Sequence, residues 1–125
     1  MHILLVDDDE AVRDSVGVIL ASAGYSVAAA RNGIEAMRLL EERRPDLIVT
    51  DILMPHKEGI ESIREIRALA PETPIIAISG AGAQGGYLRI ARIFGANAVL
   101  EKPFDPNDLL TLIHDLLQGS KAQLA

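Results

Sequence analysis

Four groups of residues in this chain have the chemical types that reactions need, and each directly follows a short apolar run. Asp7-Asp8-Asp9 follows residues 3–6, Asp51 follows 47–50, Ser79 follows 75–78, and Glu101-Lys102-Pro103 follows 98–100. If three of these carboxylates are drawn together they repel by roughly 4 kcal/mol per close pair at an effective dielectric of about 20, so something cationic must sit among them. Hard carboxylate oxygens without His or Cys partners suit Mg²⁺ (or Mn²⁺), which keeps several waters and favours sites that also hold a phosphate. Lys102 adds a fixed positive charge and Ser79 a hydroxyl donor. Together these are the parts of a phosphoryl-transfer site: a carboxylate nucleophile, a bridging cation, and a lysine that offsets developing charge.

Such a set works only if the chain brings it to one place. Apolar runs alternate five times with segments of helix length, the pattern of repeated βα units and a parallel sheet, and predict strands over 3–6, 26–29, 47–50, 75–78 and 98–100. Val12, Val16, Ile19 or Leu20, and Ala23 recur at helical spacing, and Gly24 stands where a helix stop belongs. A second helix is expected over 33–43, capped by Asn32 and closed by Pro45. Ile60, Ile63, Ile66 and Leu69 mark a third before Pro71, and a fourth is expected over 87–94, behind an entrance crowded by Gly80, Gly82, Gly85 and Gly86. The last helix, 106–117, carries Leu109, Leu112 or Ile113, and Leu116 on its buried face, with Leu110 and Leu117 as spare apolar positions; the polar tail from Gln118 onward is expected to fray.

In an open parallel α/β sheet, ligands gather beyond the carboxyl ends of the strands, where strand order reverses. Right-handed crossovers carry all four groups to that edge. Asp and Ser in these places also serve as helix caps and turn formers, and singly that reading is favoured for Asp9, as the cap of the first helix, and for Ser79. Asp51 resists it, because Ile52-Leu53-Met54-Pro55 follows and no helix starts there.

Composition narrows the classes. A length of 125 residues suits one domain, and 49% hydrophobic with 3% aromatic residues suits a helix-covered parallel sheet. A net charge of −6 and a pI near 4.9 argue against direct nucleic-acid binding, which needs clustered Lys and Arg. Without cysteine, disulfides and thiolate metal sites are excluded. The longest uncharged stretches, 15–30 and 73–88, are broken by Gly and Ser and do not read as membrane spans. The start lacks a secretory pattern, so a cytoplasmic location is expected.

Leu5-Val6-Asp7-Asp8-Asp9, Asp51-Ile52-Leu53-Met54-Pro55, Ser79-Gly80 and Lys102-Pro103-Phe104, in this order and spacing, resemble the motifs of a response-regulator receiver domain, the two-component signalling module phosphorylated by a sensor histidine kinase. The resemblance covers essentially the whole chain. It implies a flavodoxin-like (βα)5 doubly wound, five-stranded parallel sheet in the order 2-1-3-4-5, with the domain over 1–118 and a flexible tail over 119–125. It implies Asp51 as phosphoacceptor, with Asp7, Asp8, Asp51 and the backbone carbonyl of Leu53 holding Mg²⁺. Ser79 would hydrogen-bond the phosphoryl oxygens, Lys102 would pair with them, and the Lys102–Pro103 bond would be cis. The partners it implies are a sensor histidine kinase or phosphotransfer protein and a downstream protein target.

One departure is Val99, three residues before the lysine, where family members usually carry Tyr or Phe. An aromatic toggle is therefore not assumed, and switching is expected to rely on segment 80–86 and the fourth helix. Leu53 and Ala81 occupy positions that, by the resemblance to this family, influence hydrolysis of the phosphoaspartate, and neither side chain can orient a water. His56, past Pro55, reads as a loop residue, and His2 and His114 have no functional partners in the sequence.

Two other readings compete. Asp7-Asp8-Asp9 fits the D-x-D pattern of haloacid-dehalogenase-like enzymes, with Asp7 as nucleophile and Asp9 as acid/base, but this leaves Asp51 unexplained. Gly80-Ala81-Gly82-Ala83-Gln84-Gly85 is a literal G-x-G-x-x-G, but it lies in the fourth βα unit and ignores the acidic cluster. A receiver-like domain that binds partners without phosphorylation is a third reading, disfavoured by the intact acidic set. The expected readout surface is the face of the fourth helix, fifth strand and last helix, where Leu110 and Leu117 would support a homodimer or partner contact. With no output region after Leu117, a stand-alone regulator or a receiver cut from a longer protein is expected.

Overall fold

Ile3, Leu4, Leu5 and Val6 are all buried, because β1 (His2–Val6) lies inside a sheet covered on both faces. Such a strand has no solvent side to alternate with, so it reads as an unbroken apolar run. The structure is a computed structural model that describes residues 1–51, 58–79 and 95–124, with the side chains of 58–63, 79 and 119–124 outside that description. After β1 come α1 (Glu10–Ser22), β2 (Ser26–Ala30), α2 (Gly33–Glu42), β3 (Leu47–Asp51), α3 (Glu58–Leu69), β4 (Ile75–Ser79), β5 (Ala98–Glu101) and the C-terminal helix α4 (Pro106–Leu124). The strands form one parallel sheet in the order β2-β1-β3-β4-β5, the doubly wound α/β topology expected. The predicted helix over 87–94, the glycine-rich segment 80–86, and Leu53, His56 and Ala81 lie outside the described residues.

The period-2 alternation of strand side chains sorts the core into two layers. Leu4, Val6, Ile48, Ile75 and Ala77 meet Ala36 and Leu40 of α2 and Ile66 of α3. Ile3, Leu5, Leu47, Val49, Ile76 and Ile78 meet Val16 and Leu20 of α1 and Leu109, Ile113 and Leu117 of α4. Among the described residues, helices thus cover both faces, as right-handed crossovers require on either side of a point where strand order reverses.

Local chemistry sets the helix ends. Asp9 caps α1, and Asn32 caps α2 by accepting from the Glu35 amide at 2.8 Å. At the end of α1, Gly24 adopts φ +96 while Gly24 N–H donates to Ala21 O and Tyr25 N–H to Leu20 O. This paired bond pattern closes a helix with a left-handed residue, the conformation that favours glycine.

Three expectations about helix faces are corrected. Leu69 is 41% exposed, and the buried positions of that helix end are Ile66 and Ala70. A row spaced by three residues rotates backward by about 60° at each step, so the row from Ile60 to Leu69 leaves the core before its end. Leu117 is not spare but buried, continuing Leu109 and Ile113 at intervals of four, while Leu110, Leu112 and Leu116 flank that stripe half-buried. Ala23 is exposed as the C-cap of α1, whose buried residues are Val16 and Leu20. In addition, α4 runs past Leu117 to Leu124.

Burial at position 117 yields a stability prediction. Leu117→Ala removes packed methyl groups and should lower unfolding free energy by about 2 kcal/mol or more. Leu110→Ala should cost clearly less, and urea denaturation of the two variants checks the order.

Candidate functional site

Order reverses at β1, which has β2 on one side and β3 on the other. Val6 pairs with Thr50, so the next residue of each chain, Asp7 and Asp51, emerges at the same edge. The Asp7 amide donates to Ala30 O at 3.0 Å, which carries the β1–β2 pairing one residue further. Both carboxylates are buried, with Asp7 2% and Asp51 5% exposed. Asp8 is exposed beside them, and one carboxylate oxygen from each of Asp7, Asp8 and Asp51 lies within 4.8 Å of the others.

The positive partner arrives from the far edge of the sheet. Ser79 pairs with Glu101 in the β4–β5 ladder, and Lys102 is the next residue. Its Nζ lies 3.3 Å from Asp7 Oδ2 and 3.4 Å from Asp51 Oδ2. One ammonium thus bridges two buried carboxylates that are far apart in sequence. The Lys102–Pro103 bond is cis, as anticipated.

Burial pushes the Asp7 carboxyl up to about 6; the Asp9 amide opposes this, the Asp51 charge adds to it, and Lys102 opposes it again. For Lys102 burial acts downward, yet Asp51 and Asp7 together hold the ammonium above its ordinary range. Asp7 and Asp51 share Lys102 in a site of low dielectric, and the Asp8 carboxylate faces them from solvent. An all-oxygen donor set of this kind fits a hard divalent cation such as Mg²⁺.

The loop that presents these groups is held by its own hydrogen bonds. Asp9 N–H donates to Asp7 Oδ1 at 2.9 Å, and Asp9 Oδ1 accepts from the amides of Ala11 and Val12 at 2.9 and 3.3 Å. Asp9 is therefore a helix cap that also orients Asp7, the plainer of the two readings considered for it. An acid/base role for Asp9 does not suit a carboxylate engaged in this way, which weakens the haloacid-dehalogenase reading. Arg13 donates from Nη1 to Asp7 O at 2.7 Å. Sequence reading does not pick it out; the available sign was an arginine one helical turn after the cap, close enough to reach back over the loop.

The remaining candidates are placed to different degrees. Ser79 ends β4, so its backbone shares the reactive edge, while its side chain lies outside the described residues. Leu53 also lies outside them. Val99 is half-buried and packs on the α2–α3 layer. His2 lies near the opposite end of the sheet, its amide donating to Asp46 Oδ2 at 2.7 Å and its ring 3.2 Å from Ser26 Oγ. Burial and then Arg43 hold its imidazole below the usual range, and it has no place in the acidic site. Beside Lys102 an apolar groove of about 540 Å³ runs between α1 and residues 102–106, lined by Ala11, Val12, Val16, Ile19, Phe104 and Pro106.

Comparison with known proteins agrees with this geometry. The response regulator receiver domain model matches residues 3–114. Among characterised relatives, the response regulator MprA of Mycobacterium leprae is 38% identical over 97% of this chain, and MprA of Mycobacterium avium is 37% identical over 98%. The chain spans about half the length of these relatives, 53% and 54% respectively. A CheY-like receiver domain protein from Methanospirillum hungatei superposes with a TM-score of 0.90 at 33% identity, covering 98% of this chain and 97% of that one. NtrX from Brucella abortus gives 0.91 at 31% identity, covering 98% of this chain but 28% of the other. With the reversed strand order, the buried aspartate pair and the bridging lysine already in place, the match over residues 3–114 shows that the chain belongs to the family of response regulator receiver domains.

Proposed function

We propose that this receiver domain accepts a phosphoryl group on Asp51 from a sensor histidine kinase or phosphotransfer protein, in a Mg²⁺-dependent step, and thereby alters what its surface binds. The observation that carries this reading is the bridge from Lys102 Nζ to Asp7 at 3.3 Å and to Asp51 at 3.4 Å. It sets an ammonium donor beside the acceptor carboxylate, which supports a role for Lys102 toward the arriving phosphoryl oxygens.

A carboxylate oxygen of Asp51 attacks phosphorus, and the bond from phosphorus to the donor breaks, P–N for a phosphohistidine or P–O for acetyl phosphate. The leaving group departs with the electron pair, leaving an acyl phosphate on Asp51. Lys102 then exchanges its contact with Asp51 for one with a phosphoryl oxygen, and the Ser79 hydroxyl donates to another. Asp7, Asp8 and Asp51, with the Leu53 carbonyl, would hold the cation, which when bound neutralises charge shared by carboxylates and phosphoryl oxygens. Most of the rate comes from positioning and electrostatics.

The apolar groove beside Lys102 gives a phosphodonor protein a surface to lie against within reach of the acceptor. The downstream target is proposed to read the side of the domain that carries β5 and α4. With Leu117 in the core, a partner or homodimer contact there would have to use half-buried positions such as Leu110. A cytoplasmic setting accords with a kinase partner; among the described residues, no helix is long and apolar enough to cross a membrane.

Three outcomes follow from this reading. With acetyl phosphate and Mg²⁺ the intact chain should gain the mass of one phosphoryl group. Asp51→Asn should gain none, and Lys102→Ala should react about a hundredfold more slowly. Modification that persists in Asp51→Asn would remove Asp51 as acceptor.

Because Leu53 and Ala81 cannot orient a hydrolytic water, the phosphorylated state should outlast the seconds scale at neutral pH after donor removal. A time course of intact mass measures this.

The pH response comes from Asp7. Its folded pKa near 6 exceeds the ordinary 3.8, so the folded, metal-free chain binds this proton more tightly than the unfolded chain does. That contribution is complete below the ordinary value and is lost as pH rises through about 6. In chelator, Asp7→Asn should therefore gain stability relative to wild type between about pH 4 and pH 6. Adding Mg²⁺ above that range should restore stability to wild type alone. Denaturant midpoints across pH decide it, and a constant gap would contradict the assignment.

A further inference from the structure

At the end of the sheet away from the acidic site, one half-buried side chain gathers three segments. Arg67 of α3 donates from Nη1 to the carbonyls of Ala70, Pro71 and Thr73 at 3.2, 3.0 and 2.7 Å. From Nη2 it donates to Gly95 O at 2.6 Å and Asn97 Oδ1 at 2.7 Å. Its acceptors span the turn from α3 to β4 and the chain entering β5.

Asn97 completes the join. Its amide donates to Ile75 O at 2.8 Å, and its Oδ1 accepts from Ile75 N–H at 2.9 Å as well as from Arg67. The side-chain oxygen therefore continues the parallel ladder one step ahead of the first pair, Ile76 with Ala98. Gly95 fits closely underneath: its φ is +118, and a Cβ there would lie 3.0 Å from Arg67 Nε and 3.2 Å from Arg67 Cγ.

This join bears on the strand that leads to Lys102. β5 is four residues long, stands at the end of the sheet order and pairs with β4. Ala98 and Leu100 face one core layer and Val99 the other, so both faces are apolar and a slipped register would still bury apolar groups. A slip of one residue shifts the strand by about 3.3 Å. That is as large as the Lys102 contacts themselves, at 3.3 and 3.4 Å.

We propose that Arg67, Asn97 and Gly95 form a register clamp on β5 that sets the reach of Lys102 to Asp7 and Asp51, which makes Arg67 and Asn97 positioning residues for phosphoryl transfer from the opposite end of the sheet. The catalytic consequence rests on the function proposed above. Among the described residues the side chain of Asn97 serves the clamp as an acceptor through Oδ1, so Asp can replace it and Leu cannot.

The test follows phosphorylation of the full chain by acetyl phosphate and Mg²⁺ in wild type, Arg67→Gln, Asn97→Leu, Asn97→Asp, Lys102→Ala and the double variant Arg67→Gln/Lys102→Ala, with folding checked by circular dichroism. Arg67→Gln and Asn97→Leu should slow the reaction about tenfold or more, since small misplacements of a reacting group are costly. Asn97→Asp should stay near the wild-type rate, and the double variant should be no slower than Lys102→Ala, because both changes remove the same interaction. Wild-type rates in folded Arg67→Gln and Asn97→Leu overturn the proposal, as does a double variant slowed by the full product of the two single effects. If Arg67→Gln does not fold, Asn97→Leu against Asn97→Asp decides alone.

A second readout needs no phosphorylation. With an amine-acetylating ester and peptide mass mapping, Lys102 should become several-fold more reactive in Asn97→Leu, relative to Lys57 and Lys121, and remain as in wild type in Asn97→Asp. If wild type takes up no phosphoryl group, the proposed function fails while this comparison still decides the clamp.

Discussion

Everything else in the molecule answers to one electrostatic constraint: two carboxylates are buried side by side with the Lys102 ammonium bridging them. Taking an ion out of water costs several kcal/mol even after relaxation, and Asp7 and Asp51 are both nearly inaccessible. Lys102 bridges the two, and Asp8 brings a third carboxylate oxygen within 4.8 Å, a donor set that suits a hard divalent cation. The upward shift of Asp7 expresses chiefly the cost of its burial.

Holding such a group together demands rigidity in the elements that carry it. β1 and β3 are central and adjacent, buried on both faces, and their register brings Asp7 and Asp51 to one edge. Around Asp7, the Asp9 amide fixes one carboxylate oxygen, and Arg13 holds the backbone carbonyl. Lys102 comes instead from an edge strand, and that strand is tied down at its far end by Arg67 and Asn97. The two ends of the sheet thus divide the work: loops at the carboxyl end carry charge and exposed groups, while the amino end is cross-linked by His2, Asp46 and Arg67.

Much of this was legible from residue order. The five apolar runs matched the strands to within a residue or so, and Gly24, Asn32 and Asp9 acted at helix ends as their chemistry requires. The errors share a cause. Leu69, Ala23 and Leu117 lie where a helical stripe drifts across the boundary between core and solvent, and a few tens of degrees decide which side a residue takes. The groove beside Phe104 and the roles of Arg13 and Arg67 were not legible, since each depends on where segments distant in sequence come to rest.

Sequence alone determined the layered α/β class, the alternation of elements and the identity of the charged groups at the strand ends, because periodicity and residue chemistry are local properties. Only the tertiary structure decided that residues 7, 51 and 102 share one pocket, with Asp9 diverted to capping and Lys102 bridging at 3.3 and 3.4 Å. Those facts depend on strand register, and register is a relation between segments that no single segment encodes.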